Sequence, residues 1–195
     1  MNETSIEQSI ASLGSAVSDV RSDAARLLYK RGCGLAKAWT EAWRRDAALG
    51  PLLAGEPTVG VAVRPETFAR IRRANGAPPL AEVPPDQDAL EFELRFPGGI
   101  SLDILTTRQP GGGGAVARFL DRRGEGVQQV ELPVANLDRA TTLLRERFGL
   151  EPVYPAGRAG ADGKRVNFFL APVAPGGPAS GTGSKVLIEL VEANS

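Results

Sequence analysis

The 195-residue chain contains no histidine, a single cysteine, Cys33, and a single methionine, Met1. Without histidine there is no Ser-His-Asp triad, no Cys-His pair and no imidazole-ligated metal site. One cysteine closes no intrachain disulfide and builds no thiolate-ligated zinc or iron–sulfur centre, which fits a reducing compartment. An excess of one charge is missing too. Lys plus Arg and Asp plus Glu both number 23, so no basic surplus exists to neutralise a nucleic-acid backbone or an anionic lipid surface. No apolar run approaches the roughly 18 residues of a membrane span, and the amino-terminal MNETSIEQS lacks a basic segment leading into an apolar one. The expectation is a cytoplasmic protein with no nucleic-acid and no membrane partner. Acid–base or metal chemistry would fall to carboxylates, amides, hydroxyls, Lys, Arg or Tyr.

What is present begins with a helical pattern. Ile6, Ile10, Leu13, Val17, Val20, Ala24 and Leu27 step alternately by four and three residues, predicting a helix over 4–30 with an apolar seam. Thr4 and Glu7 are spaced as a capping box, and Gly32-Cys33-Gly34 reads as the break. A second helix over 35–48 carries Leu35, Trp39, Ala42, Trp43 and Ala47 and stops at Gly50-Pro51. Residues 1–50 thus read as a helical hairpin arm. Its seam would serve either a homodimer or packing on its own chain, and the two tryptophans read as packing residues.

From Pro57 the period changes to strand-like alternation. Thr58–Val63 is a strand, 65–74 a helix, and strands follow near 80–83, 90–96 and 100–106, the last after a Pro97-Gly98-Gly99 turn. A glycine-containing linker and a helix from about Ala115 to Arg122 come next. The order then repeats: a strand over 127–134, a helix over 137–147, and strands near 150–154, 165–171 and 185–192. TVGVAV (58–63) aligns with QVELPV (129–134) at an offset of 71 residues, and SLDIL (101–105) with LIELV (187–191) at 86. The Pro/Gly/Ser-rich stretch 172–184 absorbs the difference. Internal repetition of this kind predicts an α+β fold of two βαβββ modules. Module one spans 57–107, linker and helix 108–125, and module two 126–192, so that one domain over 57–192 follows the arm.

An acid interrupts the apolar last strand of each module, Asp103 in the first and Glu189 in the second. Burying a carboxylate in such a run is costly unless it is paired, coordinated or facing a wet cleft. Strand parity places Glu91, Asp103, Gln129, Glu131 and Glu189 where they could line one cleft. The glycine runs 111–114 and 176–183 carry no Walker-type Gly-Lys-Ser/Thr and no GxGxxG, and read as flexible loops. Arg158, Lys164 and Arg165 form a small basic cluster.

AVARFLDRRGEGVQQV (115–130), PVANLD (133–138), GRAGADGKRVNF (157–168) and VLIELV (186–191) together resemble methylmalonyl-CoA epimerases of the vicinal-oxygen-chelate (glyoxalase/bleomycin-resistance) superfamily. The resemblance covers about 57–192 and omits the arm. It implies a curved sheet built from two modules and a divalent metal held by one residue from each of four strands, at positions matching Thr58, Asp103, Gln129 and Glu189. Family members carry histidine at two of these, where this chain has Thr58 and Gln129. Glu91 and Glu189 fall where the family's two proton-transfer carboxylates stand. Glu131, Arg158, Lys164 and Arg165 would be ligand contacts, with basic residues toward a phosphate.

An all-oxygen set suits Mg²⁺, Mn²⁺ or Ca²⁺ better than Zn²⁺ or Co²⁺, so the expected cofactor is either none or a weakly bound divalent cation of the first kind. The function implied is carboxylate-mediated proton transfer on a small acid or its CoA thioester. The alternatives are a non-catalytic small-molecule binder of the drug-sequestering type and, for the arm, a scaffold role.

Overall fold

The structure, a computed structural model, describes residues 5–173 and 185–193. The chain divides into two compact units, Met1–Gly32 with Thr58–Gln128, and Cys33–Pro57 with Gln129–Ser195. The elements of the first are α1 (Ile6–Leu13), the start of α2 (Ser18–Arg45), β1 (Thr58–Ala62), α3 (Pro65–Ala74), β2 (Ala89–Phe96), β3 (Ile100–Thr107) and α4 (Ala115–Arg123). The second holds the rest of α2, β4 (Gly126–Val134) from Gln129 onward, α5 (Leu137–Phe148), β5 (Arg158–Ala159), β6 (Arg165–Pro172) and β7 (Lys185–Glu192). The fold is α+β, as the repeat predicts, with helices at the amino terminus, as the apolar spacing there predicts. No helix among the described residues is long and apolar enough to cross a membrane.

Three strands of each unit share one arrangement, and the second unit adds the short β5 antiparallel to β6, where the first has no fourth strand. In the first unit β3 lies between antiparallel β2 and parallel β1, with Gly60 paired to Asp103 and Glu93 on the other side of Asp103. In the second, β7 lies between antiparallel β6 and parallel β4, with Glu131 paired to Glu189 and Phe168 on the other side. The pairs Gly60–Asp103 and Glu131–Glu189 are related by the same offsets, 71 and 86 residues, at which the sequence segments align. The repeat is therefore a repeat of register as well as of element order.

Alternation sends one face of each strand set into a core. In the first unit Val59, Val61, Leu102, Ile104, Phe92 and Leu94 are buried with Phe68 and Ile71 of α3, and the Phe68 and Phe92 rings meet edge-on at 4.7 Å. In the second, Val130, Leu132, Phe169, Ile188 and Leu190 pack with α5 and with Trp39 and Trp43 of α2. Each fully buried large apolar side chain contributes about 1.5–3 kcal/mol. Trp39 Nε1 donates to the Pro172 carbonyl, and Trp43 packs edge-on against Phe148, so both tryptophans are packing residues. The Pro97-Gly98-Gly99 turn closes the β2–β3 hairpin with positive φ at both glycines, a backbone that side-chain-bearing residues adopt only at a cost.

Four local expectations need correction. The amino-terminal helix does not run through 4–30. It ends at Leu13, because Gly14 closes α1, Ser15 Oγ accepts the Val17 N–H, and Arg21 donates to the Ser15 and Ala16 carbonyls to start α2. The apolar seam is consequently not one face: Ile10, Leu13 and Ala24 are buried, whereas Val17, Val20 and Leu27 are exposed. Ser5 caps α1 by accepting the Gln8 N–H, and the capping box expected at Thr4 begins outside the described residues.

Second, Gly32-Cys33-Gly34 does not break the helix, and α2 runs through it as one 28-residue element. Glycine in a helix interior costs about 1 kcal/mol, which burial of Ala25, Leu28, Ala36 and Trp43 along α2 outweighs. Gly32 is there for space. A Cβ on it would lie 2.4 Å from Val59 Cγ1 and 2.7 Å from Cγ2. Third, 80–83 is not a strand. Pro78, Pro79, Pro84 and Pro85 supply no N–H to a ladder, and one bond survives, from Ala81 N–H to the Glu91 carbonyl. The strand expected near 150–154 is reduced to a bridge between Pro152 and Phe169. Of the stretch expected to absorb the offset, 174–184 lies outside the described residues, as does the glycine run 176–183. The run 111–114 passes close to the Asp88 side chain.

Two stability outcomes follow from α2. Gly32→Ala lowers the unfolding free energy by about 1–3 kcal/mol through overpacking on Val59, while Gly34→Ala, where a Cβ meets nothing within 4 Å, raises it by up to about 1 kcal/mol; urea titration of both variants checks the sign reversal. Beyond the end of α2, Asp46 accepts the N–H groups of Leu49 and Ala48 and pairs with Arg147 at 3.0 Å. The Leu49 N–H, the largest effect, holds its carboxyl below the ordinary value with help from the Ala48 N–H and Arg147, against desolvation, which ranks second. A depressed folded pKa adds stability above the unfolded value, lost as pH falls through the folded one. Asp46→Asn should therefore destabilise most at neutral pH and least in acid, as thermal melts across pH would show.

Candidate functional site

The strand face turned away from each core carries the polar residues. In the first unit this face holds Thr58 and Gly60 on β1, Ser101, Asp103 and Leu105 on β3, and Glu91, Glu93 and Arg95 on β2. Asp103 is only 7% exposed and lies in register with Glu93. Two carboxylates directly opposite each other are destabilising unless something compensates them. Arg95 does so for Glu93, with Nε and Nη2 each 2.9 Å from a carboxylate oxygen, and Ser101 Oγ donates to Glu93 Oε1 at 3.1 Å. Glu93, with a further contribution from Asp103, holds the Arg95 guanidinium above its ordinary pKa, which desolvation opposes. Glu91 is half-buried in register with Leu105, and Thr58 is half-buried at the start of β1.

In the second unit the corresponding face holds Gln129 and Glu131 on β4, Leu187, Glu189 and Val191 on β7, and Phe168 and Leu170 on β6. Gln129 and Glu189 are each 7% exposed. The Gln129 amide donates to Glu189, Nε2 to Oε2, at 2.5 Å. Glu131 is half-buried in register with Glu189. The sequence-predicted pair Gln129 and Glu189 is thus brought together, with Glu131 beside it.

The three basic residues play separate parts. Arg165 is committed to Asp138 at 2.8 Å and Glu192 at 3.0 Å, and these two, Asp138 first, raise its pKa. Glu192 also accepts the Leu137 N–H at the start of α5, so Arg165 serves that helix terminus. Arg158 lies over the Tyr154 ring, 4.7 Å from its centroid, a cation–π arrangement, and Lys164 is exposed.

Sequence reasoning missed Phe168, Tyr154 and Asn167. Fully buried Asn167 clamps Tyr154 from both sides, donating to its carbonyl at 3.1 Å and accepting its N–H at 3.4 Å. The Tyr154 ring stands edge-on to Phe168 at 6.1 Å, and Phe168 in turn is in register with Glu189. Phe168 was findable, because it is the module-two counterpart of Glu93 once β6 is matched with β2. Tyr154 was not, because a loop residue has no parity to follow.

Among the described residues no group of three or more His, Cys, Asp and Glu side chains is arranged to hold a metal ion. Two βα-plus-hairpin modules of matching register, each with a polar face, make an α+β protein of the vicinal-oxygen-chelate kind. Solved structures agree. Methylmalonyl-CoA epimerase from Mycobacterium tuberculosis is similar at 30% identity and a TM-score of 0.56, covering 74% of this chain and 91% of that one. A methylmalonyl-CoA epimerase in complex with methylmalonyl-CoA and NH4+ is similar at 25% identity and 0.56, covering 74% and 96%. A variant of Streptomyces coelicolor methylmalonyl-CoA epimerase in complex with 2-nitronate-propionyl-CoA is similar at 25% and 0.57, covering 73% and 96%. A scan of protein-family models gives no match, nor does a search of curated proteins. The chain belongs to the vicinal-oxygen-chelate superfamily and is methylmalonyl-CoA epimerase-like.

Asn167 supports the loop that carries Tyr154. Asn167→Ala should lower the unfolding free energy by about 1–2 kcal/mol, since it takes both side-chain hydrogen bonds from the backbone of half-buried Tyr154. Urea titration measures the loss, and hydrogen exchange at the Tyr154 amide should quicken with it.

Proposed function

We propose that this protein exchanges the proton on the carbon α to the carbonyl of a small acid or its CoA thioester, with Glu189 as the carboxylate that takes and returns it. The observation that carries this reading is Glu189 itself, a carboxylate nearly removed from solvent on the face turned away from the core, hydrogen-bonded to a neutral amide. A carboxylate on such a face is placed to take a proton from a carbon acid bound beside it. Similar epimerases bind methylmalonyl-CoA and 2-nitronate-propionyl-CoA, which makes an acyl-CoA the first ligand to test. Glu91 is the second carboxylate of the proposal and Glu131, Arg158 and Lys164 its ligand contacts. Arg165, being committed to Asp138 and Glu192, supports α5 rather than a ligand phosphate. The proposed cofactor requirement is none, or a weakly held Mg²⁺, Mn²⁺ or Ca²⁺.

Incubation with methylmalonyl-CoA in deuterated water is the direct test. The native protein should wash deuterium into the α carbon, and Glu189→Gln should slow this by about 100-fold or more while a ligand-induced rise in melting temperature persists. No exchange by the native protein, with or without added Mg²⁺, Mn²⁺ or Co²⁺, overturns the reading. In that case a retained ligand-induced rise identifies a binding protein instead.

A further inference from the structure

The face of the second unit that carries Glu189 is a grid of three rungs. Phe168, Glu189 and Glu131 form the middle one, Val166 and Val191 lie to one side of it, and Leu170, Leu187 and Gln129 to the other. The outer rungs differ in what they leave open. Val166 and Val191 are 2% and 4% exposed, already packed, whereas Leu170 is 51% exposed and Leu187 and Phe168 are half-buried. Apolar surface is therefore offered in one direction from Glu189, toward Leu170. The first unit is polar at the same positions. Register and the repeat make Glu93, Arg95 and Ser101 the counterparts of Phe168, Leu170 and Leu187, and Arg95 and Ser101 are both hydrogen-bonded to Glu93.

Antiparallel strands with one wetted face carry polar residues there, as Glu93, Arg95 and Ser101 do. Apolar residues at those positions, beside a carboxylate, suit an amphipathic ligand instead. Its hydrocarbon part takes them out of water while its polar part stays near Glu189 and Gln129. The spacing sets the length of that hydrocarbon. Same-face residues two apart on a strand are separated by about 6.8 Å. With C–C bonds of about 1.5 Å in a zigzag, a chain of about four carbons beyond the carbon next to Glu189 covers that span, and a lone methyl does not.

We infer that Leu170, with Leu187 and Phe168, forms a specificity-determining subsite for the hydrocarbon chain of an acyl thioester, so that the favoured substrates carry about four carbons beyond the α carbon rather than the methyl of a propionyl group. This rests on the proton-transfer reading for which atom lies beside Glu189, and it goes beyond that reading in naming the substrate class. In the exchange step the α C–H bond breaks, its proton passes to Glu189 and a deuteron from solvent takes its place, with nothing oxidised or reduced.

Propionyl-, butyryl- and hexanoyl-CoA are the probes, each read by deuterium wash-in at the α carbon and by the rise in melting temperature at equal concentration. Each methylene laid on the leucines should raise kcat/KM by about three- to fourfold, so hexanoyl-CoA should exceed propionyl-CoA on the order of 30-fold and raise the melting temperature more. In Leu170→Ser, and in Leu170→Arg, which installs the first unit's residue, that preference should fall to about threefold or less. The free variants should melt much like the native protein, because Leu170 is half exposed. Leu27→Ser, at a similarly exposed leucine on α2, should keep the native preference. Equal kcat/KM for hexanoyl- and propionyl-CoA overturns the inference, and so does a chain-length preference that survives in both Leu170 variants. If none of the thioesters exchanges, methylmalonyl-CoA included, the proton-transfer reading fails alone and the melting series still decides the subsite. A rise that grows with chain length and is lost in Leu170→Ser sustains it; a rise that is absent or indifferent to length overturns it.

Discussion

Parallel pairing of the first and last strand of each module is the interaction on which the rest depends. Gly60 against Asp103 and Glu131 against Glu189 fix which residues of β3 and β7 face the core. Strand parity has a period of two, so a slip of one residue would turn both acids into apolar layers formed by Ile104, Leu102, Ile188 and Leu190. An unpaired carboxylate there costs several kcal/mol, while the apolar neighbours gain only by facing inward. Correct register therefore satisfies both demands at once, and it delivers Asp103 and Glu189 to the polar faces without any special local structure.

Once there, the acids are compensated by chemistry that differs between the copies. A guanidinium neutralises Glu93 beside Asp103, an arrangement that suits a fixed, solvated charge lattice. Glu189 receives an amide, and its other strand neighbour is the aromatic Phe168, edge-on to Tyr154. The repeat supplies the scaffold twice, and the residues in register with each acid have diverged between the copies.

Much of this was legible beforehand, and the reasons differ by element. The offsets of 71 and 86 residues identified counterparts correctly because alternating strands leave a pattern in sequence that sheet pairing must respect. The helical segment is less legible. Glycines at 32 and 34 signal a break by intrinsic propensity, yet α2 continues, since close approach of Gly32 to Val59 is a tertiary gain that a local rule does not contain. Basic residues 158, 164 and 165 looked like one cluster because they are near in sequence, whereas their partners, Tyr154, Asp138 and Glu192, are not.

By itself, the sequence determined the exclusions, the module repeat and the positions of Asp103, Gln129 and Glu189 on strands, because composition and periodicity are properties of a single chain read in order. Only the tertiary structure decided what each acid touches. A hydrogen bond between residues 60 positions apart, such as Gln129 to Glu189, depends on which strands become neighbours and in which register. Adjacency of that kind arises from burial of the whole sheet, so no local pattern around either residue encodes it.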